Sequence, residues 1–274
     1  MIEFAKAHGC GNDFLIVDAA QVRGEERAAL ARALCARTTG VGADGVEYLM
    51  LQSERAGAIW LYNADGSVAE LSGNGTRCVA AWMAYCARLS AGAEVMLETA
   101  AGPRVCRLES VVGTSFHFTT GMGVPQVAAR SVRLADGTEI AGAVIDMGNP
   151  QFVALADDDD FTVAGRPWQE AGAALCTHMN FPAGTNVEFV RRRGAEAIEI
   201  RIYERGVGPT SSSGTGTSAS AAMMMALDGA PRRLRVLAPG GEQVVEWREP
   251  ASELMLTGPA VVLATGQWLG TSSK

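Results

Sequence analysis

The 274-residue chain has no uninterrupted apolar run approaching the length of a membrane span, so no helical membrane protein is expected. It also lacks a basic leader followed by an apolar stretch. Met1-Ile2-Glu3-Phe4 passes straight into strand-like alternation, which sets the expectation of a cytoplasmic protein. Clustered positive charge is missing as well: the net charge is -7, and the short Arg191-Arg192-Arg193 and Arg232-Arg233 groups fall at expected turns. Nucleic acid is therefore not an expected partner, and neither is a membrane. The six cysteines include no C-x-x-C pair, and a chain of this size does not need disulfide staples, so they read as thiols, mostly buried. His8, His117 and His178 have none of the spacings of a zinc site, and no metal is expected. The acidic run Asp157 to Asp160 reads as a solvated loop, because adjacent carboxylates on an exposed turn do not converge on one ion.

Two nucleotide motifs are also missing in substance. Gly40-Val41-Gly42-Ala43-Asp44-Gly45 fits the dinucleotide fingerprint letter for letter, but it follows a helical stretch where the fingerprint requires a strand. No glycine-rich loop ends in the Lys-Ser/Thr of a phosphate-binding loop.

What the chain does contain is an internal copy of itself. Tyr62-Asn63-Ala64-Asp65-Gly66 leads to Ser72-Gly73-Asn74-Gly75-Thr76, and Tyr203-Glu204-Arg205-Gly206 leads to Ser213-Gly214-Thr215-Gly216-Thr217, with ten residues from tyrosine to serine each time. An Ala/Met-rich helical segment follows each copy, Thr76 to Arg88 and Thr217 to Leu227. Each is nearly free of charge, which suits a helix surrounded by protein. Helix entrances present unpaired amides and positive partial charge, so two facing ones would receive a carboxylate through Gly73, Asn74, Gly214 and Thr215. One side chain from each half would then reach a shared ligand, a geometry suited to chemistry on two faces of one carbon.

Apolar residues make up 48% of the chain and charged ones 19%, a globular composition, and the length suits two domains. The first half reads as a strand over Phe14 to Val17, a helix near Glu25 to Arg37, strands at Val46 to Leu51 and Ala58 to Tyr62, the central helix, and short strands at Val95 to Glu98, Arg104 to Leu108 and Ser115 to Thr119. The second half repeats this order. Gly148-Asn149-Pro150 echoes Gly11-Asn12-Asp13, a helix lies near Gln169 to Cys176, and strands follow at Asn186 to Val190 and Glu196 to Tyr203. A strand-rich segment, Leu234 to Val261, closes it. The expected fold is α/β (α+β) with two pseudo-symmetric domains, residues 1–117 and 118–262. The 263–274 tail is expected to cross back to the first.

The segments His8-Gly9-Cys10-Gly11-Asn12-Asp13-Phe14, Gly42-Ala43-Asp44-Gly45, Asn63-Ala64-Asp65-Gly66-Ser67, Ser72-Gly73-Asn74-Gly75-Thr76-Arg77-Cys78, Met147-Gly148-Asn149-Pro150 and Tyr203-Glu204-Arg205-Gly206 closely resemble the diaminopimelate epimerase family over nearly the full length. The resemblance implies two α/β domains, each with mixed strands wrapped around a central helix. It further implies a homodimer, no pyridoxal phosphate or other cofactor, and a place in lysine or cell-wall precursor synthesis. The family inverts an α-carbon with two cysteines, one acting as base and one as acid. In this chain those positions are Ser72 and Ser213. An alcohol is a far weaker acid than a thiol and needs a neighbouring base, which neither loop supplies. The family's contacts to the distal end of the substrate fall on Asn63, Asn186, Glu204 and Arg205, with Asn12 and Asn149 completing the polar lining. Glu204 and Arg205 together suit a zwitterion. Pro209 and Gln151 depart from the family's usual Glu and His, and Cys78, six residues past Ser72, reads as core packing. Three functions stand at this stage: interconversion of LL- and meso-diaminopimelate with Ser72 and Ser213 as the acid/base pair; a related isomerase or dehydratase on another small amino acid; and a non-catalytic amino-acid binder.

Overall fold

A computed structural model describes residues 1–69 and 71–270. The chain forms two compact units, one of Met1–Thr120 with the segment from Gly258 onward, the other of Gly121–Thr257. Of the tail 263–274, residues 271–274 lie outside the described residues.

The first unit runs β1 (Ile2–Gly9), β2 (Asn12–Asp18), α1 (Arg27–Cys35), β3 (Gly45–Ser53), β4 (Ala56–Asn63), β5 (Val68–Ala69), α2 (Gly73–Cys86), β6 (Glu94–Thr99), β7 (Gly102–Val112) and β8 (Ser115–Gly121). The second runs β9 (Gln126–Arg133), β10 (Glu139–Asp146), β11 (Pro150–Leu155), β12 (Thr162–Val163), β13 (Arg166–Pro167), α3 (Trp168–Cys176), β14 (Asn186–Arg192), β15 (Ala197–Glu204), β16 (Gly208–Thr210), α4 (Gly214–Leu227), β17 (Arg233–Ala238) and β18 (Gly241–Glu246). The last strand, β19 (Met255–Trp268), begins in the second unit and ends in the first.

In the first unit β1, β2, β3, β4, β6, β7, β8 and β19 pair in that order, and β19 returns to β1, which closes a barrel. The second unit repeats the ring with β9, β10, β11, β14, β15, β17, β18 and the start of β19. There Met122 N donates to Leu254 O at 2.8 Å and Leu254 N to Gly123 O at 2.9 Å. Parallel neighbours need a crossover connection, and here the crossovers carry the helices. The β2–β3 and β11–β14 pairs are parallel and are bridged by α1 and α3, while β4–β6 and β15–β17 are bridged by α2 and α4.

Surface chemistry sorts the four α-helices of the described residues. The α2 helix is buried from Asn74 to Ala81, and α4 is buried on nearly every side, so both fill barrel interiors. Small residues (Ala80, Ala81, Ala84; Ala219, Ala221, Ala222) let the strands close around them. Hydroxyls inside α4 are satisfied locally: Ser218 Oγ donates to Gly214 O at 2.9 Å and Ser220 Oγ to Gly216 O at 2.8 Å. The α1 helix packs outside, Ala31 and Leu34 against Leu15, Val17, Val46 and Tyr48. On the same two strands Phe14, Ile16 and Leu49 point inward to α2. Both faces of β2 and β3 are therefore buried, as are those of β11 and β14 between α3 and α4. Fully buried Leu97, Leu108 and Phe118 each contribute about 1.5–3 kcal/mol of apolar burial.

No helix among the described residues is long and apolar enough to cross a membrane. The six cysteines form no disulfide among the described residues, and only Cys86 is exposed.

Candidate functional site

Ser72 and Ser213 are the N-caps of the two central helices. Both have extended backbones, with φ -124° and -146°, and both side chains accept a hydrogen bond from the third helical amide, Ser72 Oγ from Gly75 N at 3.0 Å and Ser213 Oγ from Gly216 N at 3.2 Å. This is ordinary capping chemistry with a second consequence. An oxygen that already accepts an amide N–H at the positive end of a helix is a better place for negative charge than a free alcohol. Ser213 is buried and Ser72 half-buried.

In the first unit Asn12 links the cap to the sheet. Its Nδ2 donates to Asp44 Oδ2 at 2.7 Å, and its Oδ1 accepts from Asn74 Nδ2 at 3.2 Å. Asn74 Oδ1 in turn accepts from the fully buried Arg77 guanidinium. Asp44 is a residue that motif reading placed in a failed fingerprint and gave no role. It accepts from Asp13 N at 3.1 Å and pairs with Arg37 at 2.7 Å, and its carbonyl accepts from Ala64 N at 3.0 Å, which fixes the turn bearing Asn63. The Gly40–Gly45 segment itself closes α1, with Val41 N and Gly42 N both donating to Leu34 O at 2.9 Å. Burial raises the Asp13 carboxyl, but hydrogen bonds and charge from Arg37 and Lys6 outweigh it and hold the group below its ordinary value. Exposed Asn63 donates to Ser67 Oγ at 3.0 Å and shares no direct bond with Asn12.

The second unit joins its residues differently. Fully buried Gln151 donates through Nε2 to Asn149 Oδ1 at 2.7 Å and to Thr215 Oγ1 at 3.2 Å, and Thr215 Oγ1 lies 3.4 Å from Ser213 Oγ. Gln151 thus occupies a working position in the helix-entrance network. Asn186, in register with Gln151, accepts from Arg205 N at 2.9 Å, so Glu204 and Arg205 at the end of β15 are tied to the start of β14. The exposed Arg205 guanidinium donates to Ala183 O. Cys78 is fully buried, and burial raises its thiol far above the ordinary value.

Two acids behind the helix entrances were absent from the sequence reading. Glu47 on β3 and Glu188 on β14 are both 0% exposed, and neither oxygen of either carboxyl has a hydrogen-bond partner. Each points into its barrel. A Cβ on Gly75 would lie 2.2 Å from Glu47 Oε1 and 3.2 Å from Ser72 Cβ, and a Cβ on Gly216 would lie 2.5 Å from Glu188 Oε1. Glycine at these third helical positions is what lets the carboxyls approach. Burial pushes the Glu47 carboxyl up to about 8, and burial followed by the charge of Glu204 raises Glu188 well above the usual carboxylate range. The sequence did carry a signal: each acid ends a Val-Glu pair lying twenty-five residues before its serine. No cluster of His, Cys, Asp or Glu among the described residues is arranged to hold a metal ion.

Twin barrels around capped helices define a class seen in solved structures. The chain is similar over 98% of its length to a phenazine biosynthesis protein of the PhzF family from Bacillus anthracis, of which it covers 99%, with a TM-score of 0.73 at 14% identity. It is likewise similar to a hydroxyproline epimerase from Agrobacterium vitis solved with trans-4-hydroxy-L-proline, at a TM-score of 0.69 and 18% identity, with 97% of this chain and 90% of that one covered. These likenesses establish the fold. Sequence narrows it: the profile of the diaminopimelate epimerase family matches residues 4–127 and 143–263. A diaminopimelate epimerase of Desulforudis audaxviator is 36% identical, over 98% of this chain and 99% of the relative. The chain belongs to the diaminopimelate epimerase family.

Proposed function

We propose that this chain interconverts LL- and meso-diaminopimelate, with Ser72 and Ser213 as its two proton-transfer groups and no bound cofactor. Family membership supports the substrate and a place in amino-acid biosynthesis. The observation that carries the assignment of groups is the equivalence of the two serines, each capping a central helix and each holding an amide N–H on its Oγ. One hydroxyl oxygen takes the α-proton as the other hydroxyl returns a proton to the opposite face. The first amides of α2 and α4, from Gly73, Asn74, Gly214 and Thr215, suit the substrate's α-carboxylate and stabilise the charge that develops there. Asn12 and Asn149 line the reacting end, while Asn63, Asn186, Glu204 and Arg205 read the distal ammonium and carboxylate. The working protein in this reading is a cytoplasmic homodimer.

The test is isotope exchange. Purified protein incubated with LL-diaminopimelate in D2O should lose the α-proton signal in the NMR spectrum, and Ser72→Ala should stop the loss. The double variant Ser72→Cys/Ser213→Cys should raise the rate by several orders of magnitude, because a thiol ionises near about 8.5 and an alcohol far higher. A double variant that exchanges nothing refutes the substrate assignment.

A further inference from the structure

Ser72 and Ser213 need a base within reach, and the barrel interiors hold one carboxyl behind each. Glu47 sits on β3 in register with Ile16 of β2 and Leu61 of β4, and Glu188 on β14 in register with Val153 of β11 and Ile202 of β15. Cross-strand neighbours on both inner faces are thus apolar, and an isolated acid there ordinarily carries a hydrogen-bond partner. These two carry none on either oxygen. Glu47 Oε1 lies against Gly75 and Glu188 Oε1 against Gly216, the two residues whose amides the capping serines accept, and no hydrogen bond joins either carboxyl to its serine in this structure.

We propose that Glu47 and Glu188 are the proton partners of Ser72 and Ser213, so that this chain works with two Glu–Ser pairs where its family works with two thiols. The inference rests on the functional reading above. In one direction of turnover a Ser72–Glu47 hydrogen bond forms, and Ser72 gives its hydroxyl proton to a Glu47 carboxylate oxygen while Ser72 Oγ takes the α-proton. The C–H electron pair stays on the substrate carbon. Ser213 then gives its hydroxyl proton to the opposite face of that carbon and regains one from the Glu188 carboxylic acid. The substrate is inverted, both serines are restored, and one proton has left Glu188 and arrived on Glu47. Turnover in the reverse direction, or exchange with solvent, resets the pair without any other reactant. Both glutamates are positioning residues that act through the serines.

The charged surroundings of the two acids differ. The titratable group of α2 that Glu47 acts on is Cys78, whose thiol feels the carboxyl, and β2 and β4 place Ile16 and Leu61 in register with it. Glu188 feels the charge of Glu204 on β15, and the α4 helix carries no charged residue. Burial, which pushes the Glu47 carboxyl up to about 8, holds it as an acid at neutral pH and leaves it free to act as a base only above that.

Exchange in D2O is to be followed from pH 6 to 9.5 for the parent, Glu47→Gln and Glu188→Gln, and for the same substitutions in the Ser72→Cys/Ser213→Cys background. In the parent either Gln variant should slow exchange by about a hundredfold or more. Glu47→Gln should also remove the rise through pH 8, and Glu47→Asp should restore it in part. In the dithiol background the same substitutions should cost under about tenfold, because a thiolate forms without help. Equal losses in both backgrounds would assign the glutamates a structural role and overturn the inference, as would a parent rate and pH profile untouched by Glu47→Gln. A parent that exchanges nothing beside an active dithiol form also overturns it while leaving the epimerase reading in place. An inert dithiol form removes both.

Discussion

Replacing Glu47 with glutamine changes one atom and keeps the volume, yet it should stabilise the protein strongly and only at neutral to alkaline pH. The unfolded chain releases the Glu47 proton near 4.5, whereas the folded chain keeps it until about 8. Between these values the native state binds more protons than the unfolded one, so stability falls as pH rises. The group's contribution is fully present below 4.5 and is lost by the time pH passes the folded value. Each pH unit above 4.5 costs about 1.4 kcal/mol, which amounts to about 3 kcal/mol at pH 7. Neither oxygen of Glu47 has a partner to lose, so an amide takes the place of a neutral carboxylic acid with little other change. For a chain of this size, thermal melts at pH 7 should place Glu47→Gln about 6 to 12 °C above the parent. The two should coincide near pH 4. A gain of equal size at both pH values, or none at pH 7, would refute the claim that burial keeps this carboxyl protonated.

Two further outcomes follow from the same packing. Gly216→Ala puts a methyl 2.5 Å from Glu188 Oε1 and should destabilise the protein by about 1–3 kcal/mol in urea titrations; Glu188→Ala should relieve part of that loss, so the double variant is more stable than two independent losses allow. With Cys86 the sole exposed cysteine among the described residues, a thiol reagent followed by intact-mass measurement should modify one site rapidly in the native protein, and the other five only on unfolding.

How far the sequence could be read depends on what each residue faces. Both central helices were legible because their apolar surface runs all the way round, and their starts because a Ser-Gly-x-Gly step carries its own capping chemistry. The strand β9, Gln126–Arg133, went unpredicted: only Val132 is buried in it, so no alternation marks it. Its partner β10 does alternate, but it follows a Gly-Thr turn in a stretch with no counterpart in the loop-to-helix repeat. Glu47 escaped for the opposite reason. Its strand is buried on both faces, by α1 outside and α2 inside, and in the run Val46-Glu47-Tyr48 period-two patterning gives no hint that the acid points inward. Asp44 was legible as part of a motif but not as a support for Asn12, because that bond joins residues 32 apart in sequence.

The cost of the two buried acids bears on what they do. The α4 hydroxyls inside the second barrel are satisfied: Ser218 and Ser220 donate to α4 carbonyls, and Thr217 Oγ1 donates to Gln243 Oε1 at 2.9 Å, whereas each glutamate lacks a partner on both oxygens. A leucine at position 47 or 188 would fit an apolar inner face and remove a penalty of several kcal/mol. The fold therefore gives no reason for an acid at either place, and both acids stand at equivalent points of an internal repeat, each against the glycine that completes a serine's cap. Destabilising groups of shifted pKa concentrate where proton transfer is the task. A merely tolerated accident would have to occur twice, at matched spacing and beside the same atom. That coincidence separates Glu47 and Glu188 from Cys78, which is also fully buried and also raised by burial but has no counterpart in α4, where the matching position is Ala219.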